Sequence, residues 1–305
     1  MSSRISIVAT LFALHCSMTG CGDDGNAAQT CSTNEECPSG FCKADGTCAP
    51  LASDAGVDPD GTPPADDGMS GLCTPNRDGA ITLAELPLAA GRMAKFRTTT
   101  TGTFMTAGTA GAAGARLWDL SGAQSGDADT TISLLAPAGA WWAAAFPTAT
   151  YATTLAAGSD LLGVFRVDAT TVELLGVVSP AAGTFRTELA YDPPAQLLKL
   201  PLAQDATWTT TSSVTGVASG AFVLYDETYA STVDRFGTMT TPYGDFPVLR
   251  VATDLDRVSG ITPLLSKRQF AWLAECFGGV ATVVSEDFES AAEFSNAAEI
   301  RRIAP

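Results

Sequence analysis

The chain has 305 residues, of which 46% are hydrophobic and 16% are charged, and its net charge is −16. These proportions are typical of a globular protein and not of a disordered one. The acidic charge argues against nucleic-acid binding, because phosphate backbones would repel the chain, and against basic patches that bind anionic lipids.

Residues 1–20 have the pattern of a bacterial lipoprotein signal peptide. Arg4 supplies a positive charge, Ile5 to Leu14 form the apolar region, and Met18-Thr19-Gly20-Cys21 resembles a lipoprotein processing site. Ten apolar residues are too few to cross a bilayer as a helix, so we expect cleavage before Cys21 and a lipid on its thiol. Ordinary secretion, with Cys21 in a disulfide, is the alternative. Gly22 follows Cys21, which by similarity to Gram-negative lipoproteins predicts an exported protein anchored in the outer membrane.

A short cysteine-rich module follows a polar tether at residues 21–30. Residues 31–48 have the spacing C-x5-C-x4-C-x5-C, with turn residues between the cysteines. Cross-links must order so small a segment, and an exported protein meets oxidising conditions. We therefore predict two disulfides, of open connectivity, among Cys31, Cys37, Cys42 and Cys48. Zinc is the competing interpretation, but the usual CxxC knuckles are missing.

Residues 49–70 are predicted to link this module to a β-rich domain at residues 71–305. The segment mixes five aspartates with four prolines and several glycines. Like charges and prolines favour an extended, unpacked chain, which at about 3.1 Å per residue would span roughly 60–70 Å.

The domain at residues 71–305 has the short β-branched and aromatic runs of a mainly β protein. The predicted strands are residues 96–106, 164–167, 172–178, 207–217 and 221–229. The clearest hairpin joins residues 237–241 to 246–252, because Pro242 and Gly244 favour a tight turn. Helix signals are limited to a turn or two after Asp78 and to residues 285–294, with Ser285 as the cap. We expect an antiparallel β-sandwich or a curved, barrel-like sheet.

Cys73 and Cys276 are the two cysteines left over, at the start and near the end of this domain. In an oxidising envelope they predict a third disulfide, which would tie the start of the domain to a late strand at residues 270–284. Two buried free thiols are the alternative.

One motif in the domain resembles an EF-hand calcium loop. Gly79 fits the sixth loop position, and the candidate ligands are then Asn76, Asp78, the carbonyl of Ala80, and Glu85. Thr74 stands where the first Asp is expected, and no helix precedes the loop. We therefore predict at most weak Ca²⁺ binding, and no other cofactor; a loop that merely starts a short helix is the alternative.

Catalytic chemistry is sparse in this sequence. The only histidine, His15, lies in the predicted signal peptide, so histidine-dependent catalysis is not expected in the mature chain. Two carboxylate pairs, Asp226/Glu227 and Asp254/Asp256, could in principle supply acid–base chemistry. Trp141 and Trp142 are adjacent; we expect a strand with one ring in the core and one half exposed, and a glycan-stacking surface is the alternative.

The whole arrangement resembles predicted lipoproteins of myxobacterium-like Gram-negative bacteria. They too combine a lipobox, a four-cysteine module, an acidic linker and a β domain opened by Cys-Thr-Pro-Asn-x-Asp-Gly, here residues 73–79. The resemblance implies an envelope location and assigns no activity.

Our leading hypothesis is a noncatalytic cell-envelope lipoprotein, attached to the membrane at Cys21, whose β domain binds a protein or glycan partner or another ligand. A carrier of a lipid or other apolar ligand is the first alternative, and it requires a continuous apolar cavity inside the sheet. A carboxylate-dependent hydrolase is the second, and it requires two carboxylates about 5–10 Å apart in a cleft.

Overall fold

A computed structural model describes residues 73–305, which form a mainly β domain with a nearly closed, antiparallel, barrel-like sheet. The predicted fold class is therefore confirmed. The signal peptide, Cys21, the four-cysteine module and the linker lie outside the described residues. Within residues 73–305, no helix combines the length and the apolar character needed to cross a membrane.

Strands account for most of the described chain. In chain order they are β1 (Ala80–Ile81), β2 (Met93–Thr99), β3 (Gly102–Thr103), β4 (Thr109–Ala110), β5 (Arg116–Asp119), β6 (Ala128–Ser133), β7 (Tyr151–Thr154), β8 (Leu162–Val167), β9 (Thr171–Val178), β10 (Glu188–Lys199), β11 (Leu202–Ala203), β12 (Thr207–Ala218), β13 (Ala221–Thr240), β14 (Asp245–Ser259), β15 (Thr262–Ala274), β16 (Gly278–Ser285) and β17 (Asn296–Ile303). Two short 3₁₀ helices, Leu83–Glu85 and Ala112–Gly114, interrupt them.

The main sheet is an antiparallel meander that returns to its own start. Its strand order is β6-β2-β17-β16-β15-β14-β13-β12-β10-β9-β8-β7. The two ends of this order meet at one bridge, in which Leu135 and Ala152 exchange backbone hydrogen bonds of 2.7 and 2.9 Å. β5 adds to β13 in parallel, while β1 pairs with β11 in a separate two-stranded sheet.

Side chains alternate between the inside and the outside of this curved sheet. In β13, Glu227, Tyr229, Ser231 and Val233 are buried, whereas the residues between them are exposed or half-buried. Fully buried side chains from strands all around the sheet fill the inside, including Phe96, Tyr151, Phe165, Tyr229 and Arg301. The inner face is therefore a packed core that contains charges as well as rings.

Part of the outer face is covered by two loop regions, around residues 104–120 and 286–295. Trp118 meets Trp272 edge to face at 5.6 Å, and Phe294 stacks on Phe270 at 5.5 Å. Arg250 lies between them, 4.1 Å from the Phe270 ring, and pairs with both Asp234 and Glu293.

The predicted helix at residues 285–294 is wrong. Ser285 is the last residue of β16, and its hydroxyl bonds the Arg268 amide and the Glu286 carbonyl instead of capping a helix. The loop that follows is attached to the domain through Phe294, whose backbone bonds Thr106. Tertiary contacts thus override the local helix signal.

Three strand predictions also need correction. The strand expected at residues 96–106 ends at Thr99 and is followed only by the two-residue β3. Residues 270–284 are a hairpin and not one strand, since β15 ends at Ala274 and Cys276 has a left-handed φ of 67° in the turn. Trp141 and Trp142 lie in a series of turns; Trp142 is buried and Trp141 half-buried, as expected, but neither is in a strand.

Candidate binding surface at one end of the sheet

The predicted disulfide between Cys73 and Cys276 is confirmed. Cys276 lies in the turn between β15 and β16, where its amide donates to the Glu85 carbonyl at 2.8 Å. The amide of Arg77 donates to the Glu275 carboxylate in the same turn at 2.9 Å. The first residues of the domain are therefore fixed at this end of the sheet, which we call the disulfide end.

The EF-hand-like residues bond to one another and to nearby backbone. Asp78 accepts from its neighbour Ala80 at 2.9 Å, while its own amide donates to Asn76 at 2.9 Å. Glu85 is buried and accepts from both the amide and the hydroxyl of Thr82 at 2.8 Å, which caps the first 3₁₀ helix. Among residues 73–305 no group of three or more His, Cys, Asp or Glu side chains is placed to hold a metal ion. Weak calcium binding stays a prediction.

Of the two carboxylate pairs, the structure separates only Asp226 and Glu227. Asp226 and Glu227 are consecutive in β13 and point to opposite faces, so Asp226 is exposed and Glu227 is fully buried. Asp254 and Asp256 share the outer face of β14, where Asp254 pairs with Arg268 at 2.6 Å.

Glu227 is the centre of a buried ionic cluster on the inner face. Its carboxylate pairs with Arg257 at 2.5 Å and accepts hydrogen bonds from Tyr191 at 2.9 Å and Tyr229 at 2.7 Å. Burial, and then the Glu227 charge, raise the pKa of both tyrosines well above the usual value, so both hydroxyls stay protonated and donate. Arg257 also lies 4.5 Å from the Tyr225 ring. The cluster satisfies its own charges, which is the arrangement of a structural brace.

Three neighbouring connections lie at the end of the sheet opposite the disulfide end, where the β7–β8 and β16–β17 connections also lie. The three are the loop at residues 179–187 between β9 and β10, the β12–β13 turn and the β14–β15 turn. Register brings the first two together, since Glu188 pairs with Val217, and the Gly220 amide donates to the Arg186 carbonyl at 3.2 Å. Asp226 pairs with Val258, which places the third beside them.

Two of these connections are two-residue hairpin turns that glycine makes possible. Ser219 and Gly220 both have positive φ, 51° and 82°, as a type I′ turn requires. In the β14–β15 turn Gly260 has a φ of 59°, as the first central residue of a type II′ turn does. The next residue, Ile261, is thereby left at the outermost point of the hairpin.

Large apolar side chains project from all three connections. Ile261 is 100% exposed, Phe185 80% and Phe222 73%, the three highest values for large apolar residues among residues 73–305. Leu224 and Leu264 are also exposed, at 56% and 47%. We call these five residues the apolar tip surface. Isolated exposed apolar residues are ordinary, but a cluster on adjacent loops is typical of a binding surface.

The apolar tip surface is also free of acidic groups, in a protein that is strongly acidic. Residues 179–187, 217–225 and 258–265 contain no Asp or Glu, and their one charged side chain is Arg186. Arg186 lies 5.5 Å from the Trp141 ring and pairs with Glu188 at 3.0 Å. The indole of Trp141 donates to the Ser179 carbonyl at 3.1 Å, so an aromatic ring and a cation flank the surface.

No motif in the sequence predicted this surface. Its residues are scattered from position 185 to position 264, and only strand register brings them together. One local signal was present: Phe185, Phe222 and Ile261 each follow a glycine within two residues, where a hairpin turn usually carries polar side chains.

No family model, no curated protein and no solved structure matches this chain.

Proposed function

We propose that the protein is a noncatalytic cell-envelope lipoprotein whose β domain is an interaction module, and that the apolar tip surface makes the contact. The observation that carries this proposal is the convergence of Phe185, Phe222 and Ile261 on three adjacent connections at one end of the sheet. Exposed apolar side chains lower solubility unless a partner covers them, so their clustering favours a binding role.

The inner face supports this function better than the two alternatives. A carrier of an apolar ligand needs an apolar cavity, but the inner face is packed with large side chains and includes the charged pair of Glu227 and Arg257. A hydrolase needs cooperating carboxylates, but Asp226 and Glu227 point to opposite faces, and in the second pair Asp254 is held in an ion pair with Arg268. The sequence also leaves no histidine outside the predicted signal peptide.

The ends of the sheet suit a tethered binding module. The first described residues are fixed at the disulfide end through Arg77 and Glu275, while the apolar tip surface lies at the opposite end. A lipid at Cys21 would thus attach to one end of the domain and leave the other end available for contact.

Site-specific photocrosslinking in the native envelope tests the proposal. A benzophenone amino acid replaces Ile261 in the full-length lipoprotein, produced in Gram-negative cells. A matched control carries it at Met105, which is 68% exposed but lies outside the apolar tip surface. We expect strong adducts, to lipid or to protein, from position 261 and few from position 105. Equal yields at the two positions, or none at 261, would overturn the proposed function.

The anchor is tested separately by intact mass spectrometry of the protein extracted from membranes. We expect a chain that begins at Cys21 and carries an added diacylglyceryl group. A mass without that group would disprove the lipid anchor, and a mass with four free thiols would disprove the two disulfides of the cysteine-rich module.

A further inference from the structure

We propose that the apolar tip surface inserts into the surface of an electrically neutral lipid bilayer. This inference rests on the proposed function, because it names the partner of the same surface. Four features favour a bilayer as the partner. They are the shape of the surface, the lack of acidic residues in the three connections, the residues that flank the surface and its distance from the predicted lipid anchor.

The shape of the surface is that of separate projections and not of a flat patch. Phe185, Phe222 and Ile261 extend from three different connections, and the side chain of Ile261 is fully exposed. A protein partner would need a matching pocket for each projection, since protein interfaces are closely packed at their centre. A fluid bilayer surface accepts separate apolar side chains without a matching shape.

The charge distribution also favours a bilayer. Carboxylates are costly to bring into the hydrocarbon region, and the three connections contain none. Acidic residues border the three connections: Glu188 pairs with Arg186, Asp226 lies opposite Val258, and the acidic loop at residues 286–295 is bonded to Ser266 through the Phe288 amide. The net charge of −16 would oppose approach to an anionic bilayer, which is why we specify neutral lipid.

The residues behind the projections match the interface between hydrocarbon and headgroups. Trp141 is half-buried with its indole nitrogen hydrogen-bonded, and Arg186 lies over its ring. Tryptophan favours this interface because it is apolar with one polar group, and arginine can extend its charge towards the headgroups. If the three tips enter the bilayer, this pair would lie at headgroup level.

The predicted linker is long enough for the apolar tip surface to reach the membrane in which Cys21 would be anchored. β15 has 13 residues and, at about 3.3 Å per residue, joins the two ends of the sheet over roughly 43 Å. The linker predicted at residues 49–70 would by itself span roughly 60–70 Å if extended, which exceeds that length. A lipid at Cys21 would hold the tips near the bilayer at high effective concentration, so that even weak insertion becomes substantial.

Vesicle flotation of the full chain tests this inference. The chain carries Cys21→Ser behind an ordinary secretion signal, so that any binding is independent of the lipid. The vesicles contain either phosphatidylcholine alone or phosphatidylcholine with phosphatidylglycerol. We expect binding to the neutral vesicles, reduced by about tenfold or more in the triple variant Phe185→Ser, Phe222→Ser, Ile261→Ser. The matched control Met105→Ser with Leu117→Ser removes exposed apolar residues elsewhere and should bind like the parent chain.

The possible outcomes distinguish a lipid bilayer from a second copy of the chain and from a protein partner. Equal flotation of the triple variant and the control, or no flotation of the parent chain, would overturn the inference. Concentration-dependent dimers that the triple variant abolishes, without flotation, would identify a second copy as the occupant. Protein adducts from position 261 in the envelope, without flotation, would identify a protein partner and leave the proposed function standing. No adducts there would remove the proposed function itself.

Discussion

The two ends of the sheet have similar hairpins, but aromatic residues contact one another at the disulfide end and are exposed to solvent at the other end. At the disulfide end, Phe246 meets Phe277 at 4.7 Å and Tyr243 stacks near Phe246 at 6.1 Å, so the rings cover one another. At the other end, Phe185 and Phe222 are 80% and 73% exposed. The fold can therefore pack aromatic residues at the end of a hairpin, and their exposure at the second end is a property of that end alone.

The difference extends to the turns. At the disulfide end, side chains hold the turns: Thr241 bonds Gly244, and Asp168 bonds Thr170 and Thr171. The two hairpin turns at the apolar end rely on glycine conformations instead. Side-chain hydrogen bonds and the disulfide thus stabilise the disulfide end, whereas the opposite end exposes the apolar tip surface. Variants at the two ends test this contrast.

The largest expected effect comes from removing the disulfide. Cys73→Ser together with Cys276→Ser opens a loop of about 200 residues, and we expect the free energy of unfolding to fall by up to about 5 kcal/mol. Guanidinium denaturation measures the change. Glu275→Gln is the matched control, because it keeps the bridge and weakens only the hydrogen bond from Arg77, at a cost of about 1 kcal/mol. Equal midpoints for the double variant and the parent chain would contradict the stabilising role of the bridge.

Removing the buried carboxylate comes next. Glu227→Gln leaves Arg257 buried without its countercharge, and we expect a loss of about 3–5 kcal/mol in the free energy of unfolding. Asp226→Asn, one residue away but exposed, should change it by less than about 0.5 kcal/mol. If the two variants lost similar amounts, the cluster would not be a structural brace.

Charged residues within a strand explain why the sequence predicted some strands well and others poorly. The strand at residues 207–217 was predicted almost completely, because it is rich in β-branched threonine and valine. β13 was predicted as two separate strands, residues 221–229 and 237–241, and its polar residues Asp234 and Arg235 obscured their continuity. Asp234 pairs with Arg250 of the next strand, a contact that only the folded sheet reveals.

The apolar tip surface shows the same limit for the candidate site. The hairpin at residues 237–252 was predictable because its turn residues are consecutive. Phe185, Phe222 and Ile261 are neighbours only because β10 pairs with β12 and β13 with β14. Register of this kind depends on the whole sheet, so local patterns could supply the strands but not the surface that they form.

A smaller effect is expected at the β8–β9 turn. Hydrogen bonds from the amide and hydroxyl of Thr170 and from Thr171 lower the pKa of Asp168 to about 2. Because the folded pKa lies below the unfolded value of about 3.9, the stabilisation of the turn is fully present above about pH 5 and is lost as the pH falls through about 2. NMR titration of the Asp168 carboxyl measures the pKa, with the exposed Asp226 as the comparison. A midpoint near 4 for Asp168 would show that the turn does not depend on its charge.

The smallest expected effect on stability is at the apolar tip surface itself, and it is the sharpest test of the contrast. Phe185→Ser, Phe222→Ser and Ile261→Ser remove side chains that are already mostly in water, so the free energy of unfolding should change by less than about 0.5 kcal/mol for each. Phe246→Ser at the disulfide end removes a buried ring and should cost about 3–5 kcal/mol. Thermal or guanidinium unfolding of the four single variants measures both. If the tip variants were as destabilising as Phe246→Ser, the tip side chains would belong to the core of the folded domain. If the tip variants keep the parent free energy of unfolding but lose photocrosslinking or flotation, the exposed side chains contribute to binding and not to folding.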